Sequence, residues 1–561
     1  MATADKTSVG PGMRGDRRRW TPRAVLAVAV GLGLIASLGL ARPAVAGPVK
    51  DAVLVRTDKG PIRGTVTGEH RQFSGIPYAA PPVGKLRWAS PQPARSWTTP
   101  RDATRPGKAC APNPNLPGQP YGEDCLYLNV TTPRHTGGRR LPVMVFIHGG
   151  AFQFGAGHGY RPTDLAVRGQ VVVVTINYRL GVFGFLAHPA LDGGQARHRS
   201  GNFGLEDQQA ALRWVQRNAA AFGGDRGEVT AFGQSSGARS ICAQLVAPAA
   251  AGLFHHAIIQ SEPCTMTDWP QPDGTPDPNP PGFPRPRAKA VAHGQAVAEQ
   301  LGCADPATAA ACLRALPPSR LFERPLDFGF APTFGDGGVL PVDPAEAVAA
   351  GRFTKVPVVH GITRDEYRLN DALAEAFGQP PLTEPEYVRR VAAFVGTDNA
   401  AAVLARYRVG DHGSPSEAWA AVVTDAIWAR PMTQLNRGLA RQVPTYAYEF
   451  ADRQAPWLAG VPQPSFPTGA FHLAELQYLF DADEFAGQQL TPAQQRLSAQ
   501  MIGYWTRFAH TGDPNGPGMP RWLRADQDTD LAQSLAPGPG GIRPVNFSRR
   551  HHYRFWQSLD H

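Results

Sequence analysis

The sequence predicts an α/β fold with a mostly parallel central sheet flanked by helices, and two observations lead to this class. Six short runs rich in β-branched residues are almost continuously apolar, as strands buried on both faces of a parallel sheet are. Helical periodicity separates some of these runs, most clearly over Leu205–Ala221. Strands that alternate with helices predict a sheet that helices cover. The six runs are Pro142–His148, Gln170–Asn177, Glu228–Gly233, Ala257–Ser261, Val356–Gly361 and Thr445–Phe450.

Residues 1–46 predict a signal peptide that is removed on export. The basic stretch Arg17–Arg19 precedes an uncharged apolar run, Ala24–Leu40, and Ala44–Ala46 fits a signal-peptidase site. The mature chain is therefore expected to begin at Gly47 and to be secreted. An uncleaved membrane anchor is the alternative, and the arginines leave open a twin-arginine route of export.

Residues 47–561 are expected to form a single domain. Apolar residues make up 42% of the chain and charged residues 18%, which is typical of a globular protein with a large core. Half of the net charge of +10 lies in the leader, and no dense basic stripe with interleaved aromatic residues follows it. A nucleic-acid partner is therefore not expected. The absence of C-x-x-C and H-E-x-x-H spacings argues against a metal, and no cofactor is expected.

A glycine-rich turn, His148–Gly155, follows the first of the six runs. A turn of this composition exposes consecutive backbone N–H groups. We expect Gly150 and Ala151 to direct theirs at a carbonyl oxygen, with Ser236 as the third donor of an oxyanion hole. A phosphate-binding loop is the alternative, but no P-loop lysine follows and the third glycine of a dinucleotide-binding motif is missing.

The segment Glu228–Arg239 contains the pattern G-x-S-x-G. It predicts a strand that breaks at Gly233, presents Ser235 on a sharp turn and continues as a helix. Glycine is needed at positions 233 and 237 because a Cβ would collide where strand and helix nearly touch. An exposed serine of this kind can attack a carbonyl if a base takes its proton and an acid orients that base.

Candidates for the acid and the base follow later in the chain. The fifth run leads into the neighbouring carboxylates Asp365 and Glu366, which otherwise would form a solvated turn. His472 precedes a segment with a helical pattern, and His510 is a competing histidine. The order serine, acid, histidine is the order that α/β-hydrolases use.

Six cysteines in an exported chain suggest disulfides. Four of them form two pairs that are close in sequence, so each pair would close a short loop and stabilise the fold by roughly 2–3 kcal/mol. Cys242 and Cys264 remain, and they form either a third disulfide or two buried thiols, of which the thiols are favoured. The two close pairs are Cys110 with Cys125 and Cys303 with Cys312.

The segment Asp268–Lys289 is rich in proline, which excludes a helix or a central strand. It follows the strand after the serine helix. It therefore either borders the site or forms a surface insertion.

Several segments resemble signature motifs of the type-B carboxylesterase family, which includes cholinesterases, fungal lipases and bacterial esterases. The resemblance extends from Val53 to Trp556. It implies an α/β-hydrolase fold with large loop and helical insertions. The matching segments are Phe73–Trp88, Glu123–Asn129, Gly201–Gln209, Asn218–Asp225 and Phe508–Asn515.

The resemblance also implies roles for individual residues. Ser235 matches the nucleophile, Glu366 rather than Asp365 matches the acid, and His472 matches the base. The two close cysteine pairs match the two disulfides of the family. Ser261 matches a serine that supports the acid from behind.

Four positions depart from the family pattern. Gln234 stands where most relatives have glutamate, so a negative charge beside the serine is lost. Glu262, Tyr367 and Leu473 stand where relatives have glycine. These larger side chains are expected to reshape the substrate pocket.

These observations predict an exported serine carboxylic-ester hydrolase that acts on a small-molecule ester through an acyl-serine intermediate. Stable membrane insertion after processing is not expected, and the oligomeric state is left open. The alternatives are a non-catalytic binding or adhesion module and a lipase or polyester hydrolase on the same fold.

Overall fold

A computed structural model describes residues 51–559 except 113–119, 193–198, 278–279, 323–326, 328, 336 and 527. The predicted signal peptide and its cleavage site lie outside the described residues. A sheet of 13 strands runs through the molecule. Its strands are β1 (Asp51–Arg56), β2 (Pro61–Val66), β3 (His70–Pro77), β4 (Arg101–Asp102), β5 (Tyr127–Pro133), β6 (Leu141–Ile147), β7 (Val172–Ile176), β8 (Gly224–Gln234), β9 (His256–Gln260), β10 (Val358–Thr363), β11 (Thr445–Phe450), β12 (Leu531–Leu535) and β13 (Arg543–Asn546).

The strands are ordered β1-β2-β3-β5-β7-β6-β8-β9-β10-β11-β12-β13, with β4 beside β2. The seven neighbours from β7 to β12 in this order are parallel, and antiparallel strands lie on both sides of them. All six predicted strands belong to the parallel part. The carboxyl ends of β6, β8, β9 and β10 therefore lie side by side at one edge of the sheet, where α/β proteins place their sites.

Seventeen α-helices connect or cover the strands in the described part of the chain. They are α1 (Thr163–Gly169), α2 (Gly181–Phe185), α3 (Phe203–Asn218), α4 (Ser236–Val246), α5 (Arg287–Gln300), α6 (Ala309–Ala315), α7 (Pro318–Phe322), α8 (Pro344–Ala349), α9 (Arg368–Ala376), α10 (Glu384–Val395), α11 (Thr397–Arg406), α12 (Val409–His412), α13 (Pro415–Val423), α14 (Arg430–Ala440), α15 (Pro492–Thr511), α16 (Phe547–Arg550) and α17 (Tyr553–Ser558). A π-helix, Thr424–Ala429, joins α13 to α14.

Strand β6 shows why the parallel strands are apolar on both faces. All seven of its residues are buried. Val143 and Val145 belong to one core cluster, together with side chains of α3 and α4. Met144 and Phe146 belong to a second cluster, together with side chains of α15. Successive side chains of a strand point to opposite faces, so helices on both faces require an uninterrupted apolar run.

The helices from α9 to α14 form an insertion between β10 and β11. Many apolar side chains of the insertion, including Val391, Trp419 and Trp428, belong to a third core cluster that also contains Ile362 of β10 and Ala447 of β11. This cluster attaches the insertion to two central strands. The prediction of large helical insertions is confirmed here.

The structure contains three disulfides, Cys110–Cys125, Cys242–Cys264 and Cys303–Cys312. The preference for buried thiols at Cys242 and Cys264 is therefore wrong. Cys242 lies on α4, and Cys264 lies on the loop after β9, with their Cα atoms 5.4 Å apart. Because β8 and β9 are parallel neighbours, the helix after one strand and the loop after the other meet at the same edge.

Among the described residues, no helix combines the length and the apolar character that crossing a bilayer would require.

Candidate active site

Ser235 lies on a sharp turn between β8 and α4. Its backbone has φ 56° and ψ −129°, which are unusual for a residue with a side chain. Its N–H donates to the carbonyl of Gln260 at 3.0 Å, and its own carbonyl accepts from the N–H of Arg239 at 2.9 Å. Bonds to the adjacent strand and to the helix therefore hold the strained turn in place.

The two glycines of the G-x-S-x-G pattern allow this turn to pack closely. A Cβ on Gly237 would lie 2.0 Å from the carbonyl oxygen of Ile147, and one on Gly233 would lie 2.6 Å from the backbone of Gly237. The obstructing atoms are backbone, so no side-chain rotation relieves either clash. Glycine at both positions keeps the serine turn against the end of β6.

The glycine-rich loop after β6 lies beside the serine. Gly150 and Ala151 have φ values of 105° and 51°, and the N–H of Phe152 donates to Oγ of Ser236 at 3.2 Å. No residue in the described ranges accepts a hydrogen bond from the N–H of Gly150, Ala151 or Ser236. All three residues line the cavity that contains Ser235. Such donors can stabilise an oxygen anion that forms next to the serine.

Glu366 and His472 form a buried hydrogen-bonded pair. Oε2 of Glu366 lies 2.6 Å from Nδ1 of His472, and Oε1 accepts the N–H of Thr363 at 2.8 Å. The Glu366 side chain is fully buried at the end of β10. His472 immediately precedes Leu473 and the 3₁₀-helix Ala474–Tyr478, and it lines the same cavity as Ser235. The acid thus holds the imidazole with Nδ1–H towards the protein and Nε2 towards the cavity.

Opposing effects act on the pKa of His472. Burial lowers it, because a charged imidazole is poorly solvated there. The charge and hydrogen bond of Glu366 raise the pKa, and the charges of Glu475 and Glu262 raise it further. The carboxylates outweigh burial, so the pKa of His472 lies above its ordinary value of 6.5. These carboxylates stabilise the imidazolium that forms when His472 acts as a general base and takes up a proton.

Gln234 occupies the cavity side of the histidine. Its side-chain nitrogen lies 3.2 Å from Nε2 of His472. With Nδ1–H donated to Glu366, Nε2 carries the lone pair and accepts a hydrogen bond from the Gln234 amide. Ser235 and His472 line one cavity, but the structure contains no hydrogen bond between their side chains.

Three other residues singled out in the sequence form no hydrogen bond with Ser235, Glu366 or His472 within the described part of the chain. The hydroxyl of Ser261 is buried without a hydrogen-bond partner among the described residues, so its support of Glu366 stays a prediction. Asp365 accepts a hydrogen bond from the N–H of Ala470 at 3.0 Å and forms an ion pair with Arg453. These contacts give it a structural role. His510 is exposed at the end of α15 and hydrogen-bonds to a carbonyl of α1.

Ser235 and His472 open into a cavity of about 350 Å³. The proline-rich segment contributes part of its wall through Trp269, Gln271 and Phe283. Of the two alternatives that the sequence left open for this segment, the structure therefore favours the one in which it borders the cavity. The helical insertion contributes another part of the wall, including Trp428, whose ring centroid lies 6.4 Å from that of His472.

Arg239 is among the charged residues of the cavity that the sequence motifs do not single out. It lies on α4 one turn after Ser235 and forms a buried ion pair with Glu262. The sequence identifies Glu262 only as a larger side chain than the expected glycine. A charged residue so close after the nucleophile on a buried helix is the signal from which a partner inside the site could have been expected.

Comparisons with known proteins identify the family of this chain. The model of the carboxylesterase family matches residues 51–556, and the chain belongs to this family. The protein is thus a carboxylesterase-type hydrolase of the α/β-hydrolase fold.

Individual relatives cover most of the chain. It is 33% identical over 515 residues to a cocaine esterase of Homo sapiens, with 86% of each chain covered. It is 34% identical over 491 residues to the para-nitrobenzyl esterase of Bacillus subtilis (strain 168), covering 82% of this chain and 90% of the relative. A solved PNB esterase structure superposes with a TM-score of 0.71 at 30% identity, covering 90% of this chain and 99% of the other.

Proposed function

We propose that the protein is an exported serine carboxylesterase in which Ser235, His472 and Glu366 act together on a small-molecule ester. The observation that carries the proposal is the hydrogen-bonded Glu366–His472 pair in the cavity that Ser235 lines from its strained turn. An acid, an imidazole and an exposed hydroxyl in this order are the parts that nucleophilic catalysis by serine requires.

In the proposed reaction the hydroxyl of Ser235 attacks the ester carbonyl while Nε2 of His472 takes its proton. This step requires Nε2 to exchange the amide of Gln234 for the serine hydroxyl. The N–H groups of Gly150, Ala151 and Ser236 hold the oxyanion of the tetrahedral intermediate.

The imidazolium then protonates the leaving alcohol, and an acyl-serine remains. Water follows the same route: His472 removes its proton, the hydroxide attacks the acyl carbonyl, and the acid leaves as Ser235 regains its proton. Glu366 keeps Nδ1–H in place throughout and stabilises the charged imidazole.

The proposal includes export with removal of residues 1–46. The basic stretch, the apolar run and the small-residue cleavage site support it. Three disulfides in the described chain are in keeping with an oxidising compartment.

Steady-state hydrolysis of p-nitrophenyl acetate and butyrate tests the assignment of the nucleophile. Ser235→Ala is expected to lower kcat by about 10⁴-fold or more, because no other group in the site can form the acyl intermediate. The thermal midpoint should stay near that of the parent, since the substitution removes one cavity-facing hydroxyl.

His510→Ala is the matched control for the base. His510 lies on the surface away from the cavity, so this variant should keep nearly full activity. A loss as large as that of His472→Ala would show that the base has been wrongly assigned.

A further inference from the structure

Arg239 and Glu262 place a buried ion pair inside the cavity of the proposed active site. Nε of Arg239 donates to Oε1 of Glu262 at 2.9 Å, and Nη2 of Arg239 donates to the same oxygen. The side chains are only 8% and 6% exposed. The guanidinium carbon lies 3.5 Å from the ring centroid of Phe283, which covers one face of the cation. The pair is therefore held from two sides and does not depend on flexible surface groups.

The ion pair leaves two polar atoms unused. Both hydrogen bonds end on Oε1, so Oε2 of Glu262 has no hydrogen-bond donor among the described residues. Nη1 of Arg239 likewise donates to none of them. Both side chains line the cavity. The pair thus contains one donor and one acceptor without a partner, on two side chains that line the cavity.

A hydrocarbon group placed against this pair would remove water from both atoms and return no hydrogen bond. Desolvation of unpaired polar atoms is costly, and sites built to hydrogen-bond a substrate reject analogues that lack the bonding group. The pair therefore disfavours a plain alkyl arm at this end of the cavity.

The lining carboxylates disfavour an anionic arm, and Arg239 disfavours a cationic arm placed directly against it. The described cavity lining contains seven carboxylates, among them Asp371 and Glu484, against the two guanidinium groups of Arg239 and Arg390. An anion would be repelled by this excess and by Glu262 itself. A cation would meet Arg239 at close range. An uncharged group that donates and accepts hydrogen bonds meets neither repulsion.

Resting on the proposed ester hydrolysis, we propose that one arm of the substrate ends in an uncharged hydroxyl or primary amide. Its acceptor binds Nη1 of Arg239 and its donor binds Oε2 of Glu262. The residue that replaces a family glycine at position 262 thus selects polar over hydrocarbon esters.

Two pairs of isosteric esters test the proposal by pH-stat titration. For the acyl arm, ethyl succinamate is compared with ethyl 4-methylpentanoate. For the alcohol arm, the acetate of 3-hydroxypropanamide is compared with 3-methylbutyl acetate. Monoethyl succinate and ethyl 4-(dimethylamino)butyrate extend the acyl series to an anion and a cation.

The decisive quantity is the ratio of kcat/KM for the amide to that for its hydrocarbon isostere. In Arg239→Met/Glu262→Met this ratio should fall by roughly tenfold or more in one arm, since about two hydrogen bonds are lost. Arg239→Lys keeps the cation but removes Nη1, and it should lower the same ratio. It also serves if the double variant does not fold.

The control is Arg437→Met/Asp530→Asn, which removes an arginine–carboxylate ion pair whose residues do not line the cavity. This control should leave the ratio unchanged. Equal ratios in parent and double variant for both arms would overturn the inference, as would a selective loss confined to the anionic or the cationic ester. The hydrocarbon esters report on hydrolysis itself, so failure of the proposed function would be seen separately.

Discussion

The pKa of His472 is expected to determine how activity depends on pH. A general base acts in its neutral form, so activity should fall as the pH decreases through its pKa. The carboxylates around His472 raise that pKa above 6.5 despite burial. The acidic limb of the pH profile of kcat/KM is therefore expected at a higher pH than the pKa of an isolated histidine.

Gln234→Glu should move this limb to higher pH by about one unit. The substitution places a carboxylate beside Nε2, where the amide nitrogen now lies 3.2 Å away, and an opposite charge at this range stabilises the imidazolium. The pH dependence of kcat/KM with a p-nitrophenyl ester measures the shift. Gln234→Met, which adds no charge, should leave the limb near the parent's position. A shift of the glutamate variant to lower pH would contradict the electrostatic account.

At the same scale, the residues of the Ser-acid-His arrangement could be predicted, but the charged pair could not. Ser235, Glu366 and His472 stand in long motifs that define their surroundings. Arg239 and Glu262 lie on different elements, and each charge alone is compatible with a solvated surface. Only the meeting of α4 with the loop after β9 shows that they pair inside the cavity.

At the scale of elements, the turn between β8 and α4 depends on glycine. Gly237→Ala should destabilise the fold or prevent it from forming, because its Cβ would lie 2.0 Å from the carbonyl oxygen of Ile147. We expect a large fall in the thermal midpoint or in the yield of folded protein. Circular dichroism and a thermal scan measure both.

Gly438→Ala is the matched control for this substitution. Gly438 lies within α14, and a Cβ there would meet nothing within 4 Å. Alanine in a helix interior is favoured over glycine by about 0.5–1 kcal/mol, so this variant should be neutral or more stable. Equal effects of the two substitutions would refute the steric argument for the turn.

The disulfide between Cys242 and Cys264 shows where prediction at this scale ends. Apolar patterns predicted β8 and β9 correctly, because local burial determines those patterns, and the G-x-S-x-G pattern predicted the helix after β8. The pairing depends instead on the path of the loop after β9, which returns over α4. The separation of the two cysteines in the sequence does not predict that path.

At the scale of the whole molecule, the carboxyl-terminal segment is fastened to the sheet and the insertion by a buried histidine. Nδ1 of His551 lies 2.5 Å from Asp425 of the π-helix, and Nε2 lies 2.8 Å from Glu449 of β11. Burial lowers the pKa of His551, but these carboxylates outweigh it and raise the pKa to about 9. This contact could not be predicted from the sequence, since His551 lies 126 and 102 residues along the chain from Asp425 and Glu449.

The stability of the protein should therefore decrease at alkaline pH. The folded-state pKa of His551 lies above the unfolded value of about 6.5, so its contribution is fully present below pH 6.5 and is lost as the pH rises through about 9. The loss amounts to up to about 3 kcal/mol. Thermal midpoints from pH 6 to 10 measure it.

His551→Gln, which cannot be protonated, should be less stable at pH 6 and should lack this part of the alkaline decrease. His510→Gln on the surface is the control and should follow the parent. A parent-like decrease in the His551 variant would assign the effect to other groups.

The fold class and the parallel strands follow from the sequence because burial on both faces leaves a continuous apolar pattern. The assembly of loops around the cavity does not, since it arises from contacts between segments far apart. The proposed reaction depends on one of those meeting points, the cavity that Ser235 and His472 both line.

The roles of Ser235 and His472 can be tested most directly by labelling. The folded protein is treated with a fluorophosphonate, and its peptides are analysed by mass spectrometry. We expect a single adduct, on Ser235. It should be absent from Ser235→Ala, and its formation should be strongly slowed in His472→Ala. An adduct on another residue, or none on well-folded protein, would contradict these roles.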